Sequence, residues 1–315
     1  MQAPRYESVT VALYDPVAMN RNATRNVLYS LGFREIEGYS ALEDLKRAMA
    51  TRDFDLVVLE AAKPEDAALD FARRIRHSEV GRNPFVVVLV STWSPEGHLV
   101  RAALNAGADD LLCRPYSTAG LGERLRTHVH ARKGFVVTAD YVGPDRRSDA
   151  SRPNSAEPIQ VVNSLKLKSV EGKTGFEAQT AVQAGVAASR RVINDERMRR
   201  AAFQIGVIAG FIQGQARDPD QKVHRSDLEK IIATAGNLQA LAQQAGAGQA
   251  EKTCETVIDV ATKSLSGDDL LNNAQLLVRL SVALQVTLTP GVAEEQFHAE
   301  LDDTLRRIQV RGRKA

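Results

Sequence analysis

Across residues 9 to 132, short apolar runs rich in Val and Leu alternate with amphipathic stretches, and the runs are too short to be helices. This alternation predicts βα units arranged around a parallel sheet. Strands are expected over 9–14, 35–38, 56–59, 85–91 and 110–113, and helices over 18–31, 41–51, 65–76, 95–106 and 117–131. Five such units make a doubly wound, five-stranded α/β sheet, whose ligands and chemistry gather beyond the carboxyl ends of the strands. The residues that follow each strand are therefore the ones to weigh for function.

The rhythm breaks over 134–175, where Tyr141-Val142-Gly143-Pro144-Asp145-Arg146-Arg147 leads into a stretch rich in Ser, Asp, Asn and Pro. Such a composition reads as a linker. Beyond it, helical periodicity takes over, with helices expected over 176–213, 225–247, 251–265, 268–287 and 291–309. The breaks come at Asp218-Pro219, Gly246-Ala247-Gly248, Ser266-Gly267-Asp268-Asp269 and Thr289-Pro290-Gly291. The expected organisation is an α/β domain over 1–133, a linker over 134–175 and an all-α helical bundle over 176–315. Within that bundle, Gly206 and Gly210 share one helix face, a spacing suited to close helix packing in a bundle or a dimer.

A length of 315 residues suits two domains, and 43% hydrophobic with 25% charged residues is a globular balance. The net charge of +2 exerts no general pull toward nucleic acid or membranes. Cys113 and Cys254 lie far apart, without a second Cys or a His at metal-ligand spacing, which fits a reducing compartment. No apolar run approaches the length of about 18 residues that a membrane span needs, and no signal core opens the chain, so a cytoplasmic protein is expected.

Several patterns in the first domain resemble the receiver domain of bacterial response regulators, a flavodoxin-like fold. Asp15 ends the first strand, and Leu56-Val57-Val58-Leu59-Glu60-Ala61-Ala62-Lys63-Pro64 is similar to the third strand and phosphoacceptor loop. Asn83-Pro84-Phe85 leads into a fourth strand ending at Thr92, and Ala106-Gly107-Ala108-Asp109-Asp110-Leu111-Leu112-Cys113-Arg114-Pro115-Tyr116 resembles the fifth strand and its Lys-Pro turn. The resemblance implies a pocket of Asp15, Pro16, Glu60, Thr92, Leu111 and Arg114. In the family an Asp takes up a phosphoryl group beside a Mg²⁺ held by paired acids.

Here four working parts are changed. Glu60 stands at the acceptor position with one extra methylene, which moves its carboxylate about 1 Å or more from in-line geometry. Pro16 replaces the second metal-binding acid, and Leu111 replaces the aromatic switch residue. Arg114 replaces the Lys, and its planar fork is not expected to fit the same space. Asp15 and Thr92 remain, as a metal-binding acid and a switch hydroxyl. No metal or other cofactor is expected, Asp15 and Glu60 being the remaining candidate ligands.

Gly143, Pro144, Asp145, Arg146 and Arg147 resemble a short motif that follows receivers in some proteobacterial signalling proteins, and its paired arginines suit a phosphate or carboxylate on a partner. The helical half carries no enzyme motif and no helix-turn-helix with a polar, basic recognition helix. The basic cluster Arg306-Arg307…Arg311-Gly312-Arg313-Lys314 suits a helix C-terminus. The expected function is thus that of an atypical, non-enzymatic member of two-component or phosphorelay signalling, a pseudo-receiver that acts by binding proteins. A homodimer fits the pattern and nucleic acid is not the expected partner. The alternative is a transcriptional regulator whose helical domain binds DNA.

Overall fold

The structure is a computed structural model that describes residues 3–138, 141–146, 158–218, 220–267 and 269–312. The first elements are β1 (Thr10–Tyr14), α1 (Ala18–Ser30), β2 (Glu35–Tyr39), α2 (Leu42–Thr51), β3 (Leu56–Glu60) and α3 (Ala67–Arg76). They continue with β4 (Val87–Thr92), α4 (Gly97–Asn105), β5 (Asp110–Cys113) and α5 (Thr118–His130). The five strands form one parallel sheet in the order β2-β1-β3-β4-β5. This is the doubly wound arrangement expected from the sequence.

Strands covered on both faces read as near-continuous apolar runs, and β1, β3 and β4 do, with Thr10, Glu60, Ser91 and Thr92 confined to their ends. Alternation sends Val57 and Leu59 to one face, against Leu45, Met49, Phe71, Ile75 and Leu99 of α2, α3 and α4. Leu56 and Val58 face the other way, against Leu28 of α1 and Leu121, Leu125 and Val129 of α5. Side-chain caps fix two helix starts: Asp66 accepts from Ala68 N at 3.0 Å, and Ser117 accepts from Gly120 N at 3.1 Å.

The segment read as a linker departs from that reading. It holds an antiparallel pair, β6 (Phe135–Val137) and β7 (Val142–Pro144), and a short helix α6 (Ser164–Ser169). Phe135, Tyr141 and Leu165 are buried, and Leu165 joins the core on the α1 and α5 side. Three-residue strands punctuated by Gly and Pro carry too little periodicity to register as strands. Below the hairpin, Arg76 donates to the Gly107, Pro84 and Val86 carbonyls at 2.7–2.8 Å and to Asp109 Oδ2 at 2.8 Å. Arg132 donates to both Asp109 oxygens, and both guanidiniums lie 5.2 Å from the Phe135 ring. Lys168 of α6 pairs with the buried Asp55 at 2.7 Å.

The remaining helices are α7 (Gly175–Arg217), α8 (Arg225–Ala245), α9 (Gly248–Ser264), α10 (Leu270–Leu288) and α11 (Glu294–Gly312). The chain divides into two compact units, Met1–Arg190 and Arg191–Ala315, with the division inside α7. The first unit thus runs past the boundary at 133 read from the sequence, because the hairpin, α6 and the start of α7 belong with it. The second unit has its own core, which includes Ile205, Ala209, Leu228, Ile231, Leu238, Val257, Leu277 and Leu284. Gly206 and Gly210 are packed inside it: a Cβ would lie 2.6 Å from Ser281 Oγ at the first and 2.5 Å from Leu305 Cδ1 at the second. Among the described residues, no helix is long and apolar enough to cross a membrane.

Candidate functional site: a closed carboxylate pocket

The parallel sheet delivers the ends of β1, β3, β4 and β5 to one edge, and there Asp15, Glu60, Ser91 and Arg114 meet. Register sets Glu60 beside Ser91 and Thr92 beside Cys113, so Arg114 follows directly after the β5 partner of Thr92. Glu60 Oε2 accepts from Ser91 Oγ at 2.5 Å and from Arg114 Nε at 3.0 Å. Arg114 Nη2 donates to Asp15 Oδ2 at 3.1 Å and to Ser91 Oγ at 3.2 Å. The second Asp15 oxygen accepts from Val17 N at 2.8 Å. One guanidinium therefore joins both carboxylates, and its planar fork fits the space that the sequence reading denied it.

Aromatic rings flank the same guanidinium. Its carbon lies 5.3 Å from the Tyr116 ring and 5.9 Å from the Trp93 ring. Tyr116 is held in turn by a 2.7 Å hydrogen bond between its hydroxyl and that of Thr24 on α1. Burial pushes the Asp15 carboxyl above its ordinary range, against the Val17 amide and Arg114, which pull it down. Burial likewise raises Glu60, against its hydrogen bonds from Ser91 and Arg114.

The hydroxyl in the pocket belongs to Ser91 rather than to Thr92. Neighbouring side chains on a strand point to opposite faces. Thr92 Oγ1 instead accepts from Ser94 N at 3.3 Å, which fixes the turn after β4. The signal for Ser91 was the register with Glu60, which the sequence does not state. Leu111 is half-buried and packs into the core on the α2 to α4 side. Pro16 is exposed between Asp15 and Val17 and brings no donor atom to the pocket.

Mg²⁺ prefers octahedral oxygen ligands and binds through carboxylates. The groups here do not fit it: both Asp15 oxygens are taken, and Arg114 places its charge against both acids. Among the described residues, no group of three or more His, Cys, Asp or Glu could hold a metal ion. Chemically, one guanidinium is shared by two acids, and Glu60 Oε2 is engaged by two donors.

The 143–147 motif lies away from this pocket. Gly143 and Pro144 form β7, and Tyr141 donates from its hydroxyl to Pro144 O at 2.7 Å. Arg146 stacks on Tyr141 at 4.2 Å and donates to Asn105 at the end of α4. Asp145 N donates to Gly134 O at 2.8 Å. Arg147 is outside the described residues, as are Arg313 and Lys314 of the basic cluster.

No protein-family model matches the chain. Over 119 residues, 38% of this chain, it is 34% identical to the KDP operon transcriptional regulatory protein KdpE of Escherichia coli. The chain spans about half the length of that regulator, 49%. Over 129 residues, 40% of this chain and 95% of the relative, it is 26% identical to chemotaxis protein CheY-3 of Vibrio cholerae. The crystal structure of an orphan response regulator of H. pylori matches 39% of this chain and 97% of its own, at 28% identity and a TM-score of 0.33. The N-terminal 40% of the chain is homologous to response-regulator receiver domains of the CheY-like kind, and a separate helical region follows it.

Proposed function

We propose that this protein is an atypical response regulator whose receiver-like unit is held in one state by Arg114 and works by binding other proteins, without phosphoryl transfer to Glu60. The observation that carries this reading is the single guanidinium shared by Asp15 and Glu60, with both carboxylates and the Ser91 hydroxyl satisfied by one another. In an ordinary switch, phosphorylation must bias two states by several kcal/mol to invert their populations. Here the cation that would meet a phosphoryl group is already paired, the second metal-binding acid is Pro16, and Leu111 stands at the aromatic switch position. The receiver face is then a constant docking surface, and the helical unit supplies further binding area.

The test is affinity capture with the full chain, with and without acetyl phosphate and Mg²⁺. The same partners are expected at the same yield in both conditions, whereas Arg114→Ala, which strands two buried carboxylates, changes the yield. A partner set that depends on acetyl phosphate overturns the reading.

A further inference from the structure

Residues 134–138, 141–146 and 158–163 carry a chain of close contacts that the pocket does not explain, running from the turn before β5 to the first half of α7. Its first link is a pair of interlocked glycines. Gly107, at φ +86°, ends α4, and a Cβ there would meet Arg76 Cγ at 2.7 Å and Val142 O at 3.2 Å. A Cβ on Gly143 would lie 3.0 Å from Gly107 Cα and 2.6 Å from the Tyr141 hydroxyl. The hairpin backbone thus sits directly on the α4–β5 turn, a distance that only glycine on both sides permits. Arg146, stacked on Tyr141 and bonded to Asn105, fastens the same hairpin to the last residue of α4.

The second link joins the hairpin to the returning chain. Phe135 and Ile159 exchange both backbone hydrogen bonds, N to O at 2.8 and 2.7 Å. The third joins that chain to α7, where a Cβ on Gly185 would lie 2.6 Å from Val162 Cγ2 and Val162 N donates to Ser189 Oγ at 3.0 Å. A side contact, Asn163 Nδ2 to His128 O at 2.8 Å, ties the returning chain to α5. The first two links set backbone against backbone or glycine, and the third seats the β-branched, χ1-restricted Val162 side chain directly on Gly185, so small displacements meet hard contacts.

We propose that the hairpin of residues 134–138 and 141–146, together with the returning residues 158–163, is a rigid coupling element that fixes the α4–β5 turn to the first half of α7. The motif around Gly143 is then a clamp inside the first unit, and Arg146 is engaged within it. Trp93 after β4 and Arg114 after β5 lie at the pocket, while Asn105 at the end of α4 and Gly107 before β5 lie at this clamp. The element therefore connects the receiver sheet to the helix that carries the chain into the second unit. It does so whatever the chemical state of Glu60, so it stands apart from the reading of the pocket.

The experiment is amide hydrogen exchange on the full chain, comparing wild type with Gly143→Val and Gly185→Leu. Gly143→Val should raise exchange about tenfold or more over 105–110, 159–163 and 182–190 together. Gly185→Leu should raise it in the same three segments from the other end, while β1 and α1 keep their protection. If either variant loses protection throughout, Tyr141→Phe, which deletes only the hydrogen bond to Pro144 O, replaces it with a smaller effect on the same segments. Exchange that changes only next to the substituted residue overturns the proposal.

Discussion

Arg114 reaches from the end of β5 to place Nη2 3.1 Å from Asp15 Oδ2, on the far side of the pocket from Glu60. This contact puts a fixed positive charge where a metal ion would need a free carboxylate. Trp93, the one tryptophan of the sequence, lies 5.9 Å from the same guanidinium and reports on it. Titrating Mg²⁺ while following Trp93 fluorescence is expected to give no saturable change through the millimolar range. A saturating signal at low millimolar Mg²⁺ would show that Asp15 is free to bind.

Burial raises the Asp15 and Glu60 carboxyls above their ordinary values of 3.8 and 4.5. The folded protein then binds protons more tightly at these positions than the unfolded chain does. Their contribution to stability is full below the ordinary values and is lost as pH rises through the raised ones. Glu60→Gln removes one of these titrations and keeps a partner for Ser91. Relative to this variant, wild type should be more stable at about pH 4 than at about pH 7. Thermal melts at the two pH values check the sign, and the reverse order contradicts it.

The Asp109 carboxyl behaves in the opposite way. Burial alone would raise it, but the guanidiniums of Arg132 and Arg76 outweigh burial and hold it below its ordinary 3.8. Its contribution is therefore present above 3.8 and lost as pH falls through the lowered value. Burial also pulls Arg76 down to about 10 against the attraction of Asp109. Removing one partner of such a buried pair costs about 3–5 kcal/mol. Asp109→Asn should show that loss in denaturant titrations at neutral pH, with the difference shrinking in acid.

The sheet was legible because its central strands β1, β3 and β4 are buried and read as nearly unbroken apolar runs, and the helices of the second unit were legible from their periodicity. Glu60 and Arg114 were legible as partners because each lies at the carboxyl end of a strand, although β4 stands between β3 and β5 and the length of the Arg114 side chain spans it. Ser91 was not, because two adjacent hydroxyls ended the same strand and only the pairing register shows which one faces Glu60. The hairpin was hidden by its composition: Gly143 and Pro144 signal a turn in sequence, yet the first is there for contact with Gly107. The extent of α7 was legible, but the division of the chain inside it was hidden, because its first half packs with the receiver-like unit while the helix runs on to Arg217.

That packing makes a prediction about fragments. A fragment of residues 1–133 lacks Phe135 over the Arg76 and Arg132 guanidiniums, Leu165 in the core and Lys168 beside Asp55. A fragment of residues 1–190 keeps them all. The longer fragment should melt cooperatively and at a higher temperature, and equal melting of the two would show that the added elements contribute nothing.

The account stands or falls on whether the pocket can be phosphorylated. The measurement is intact mass after incubation with acetyl phosphate and Mg²⁺, made on wild type and on Glu60→Asp, which supplies the acceptor found in the family. Because Pro16 and Arg114 remain in both, neither protein is expected to gain a phosphoryl group. A stable, near-stoichiometric gain of one phosphoryl group on either would contradict the claim that Arg114 holds this receiver closed.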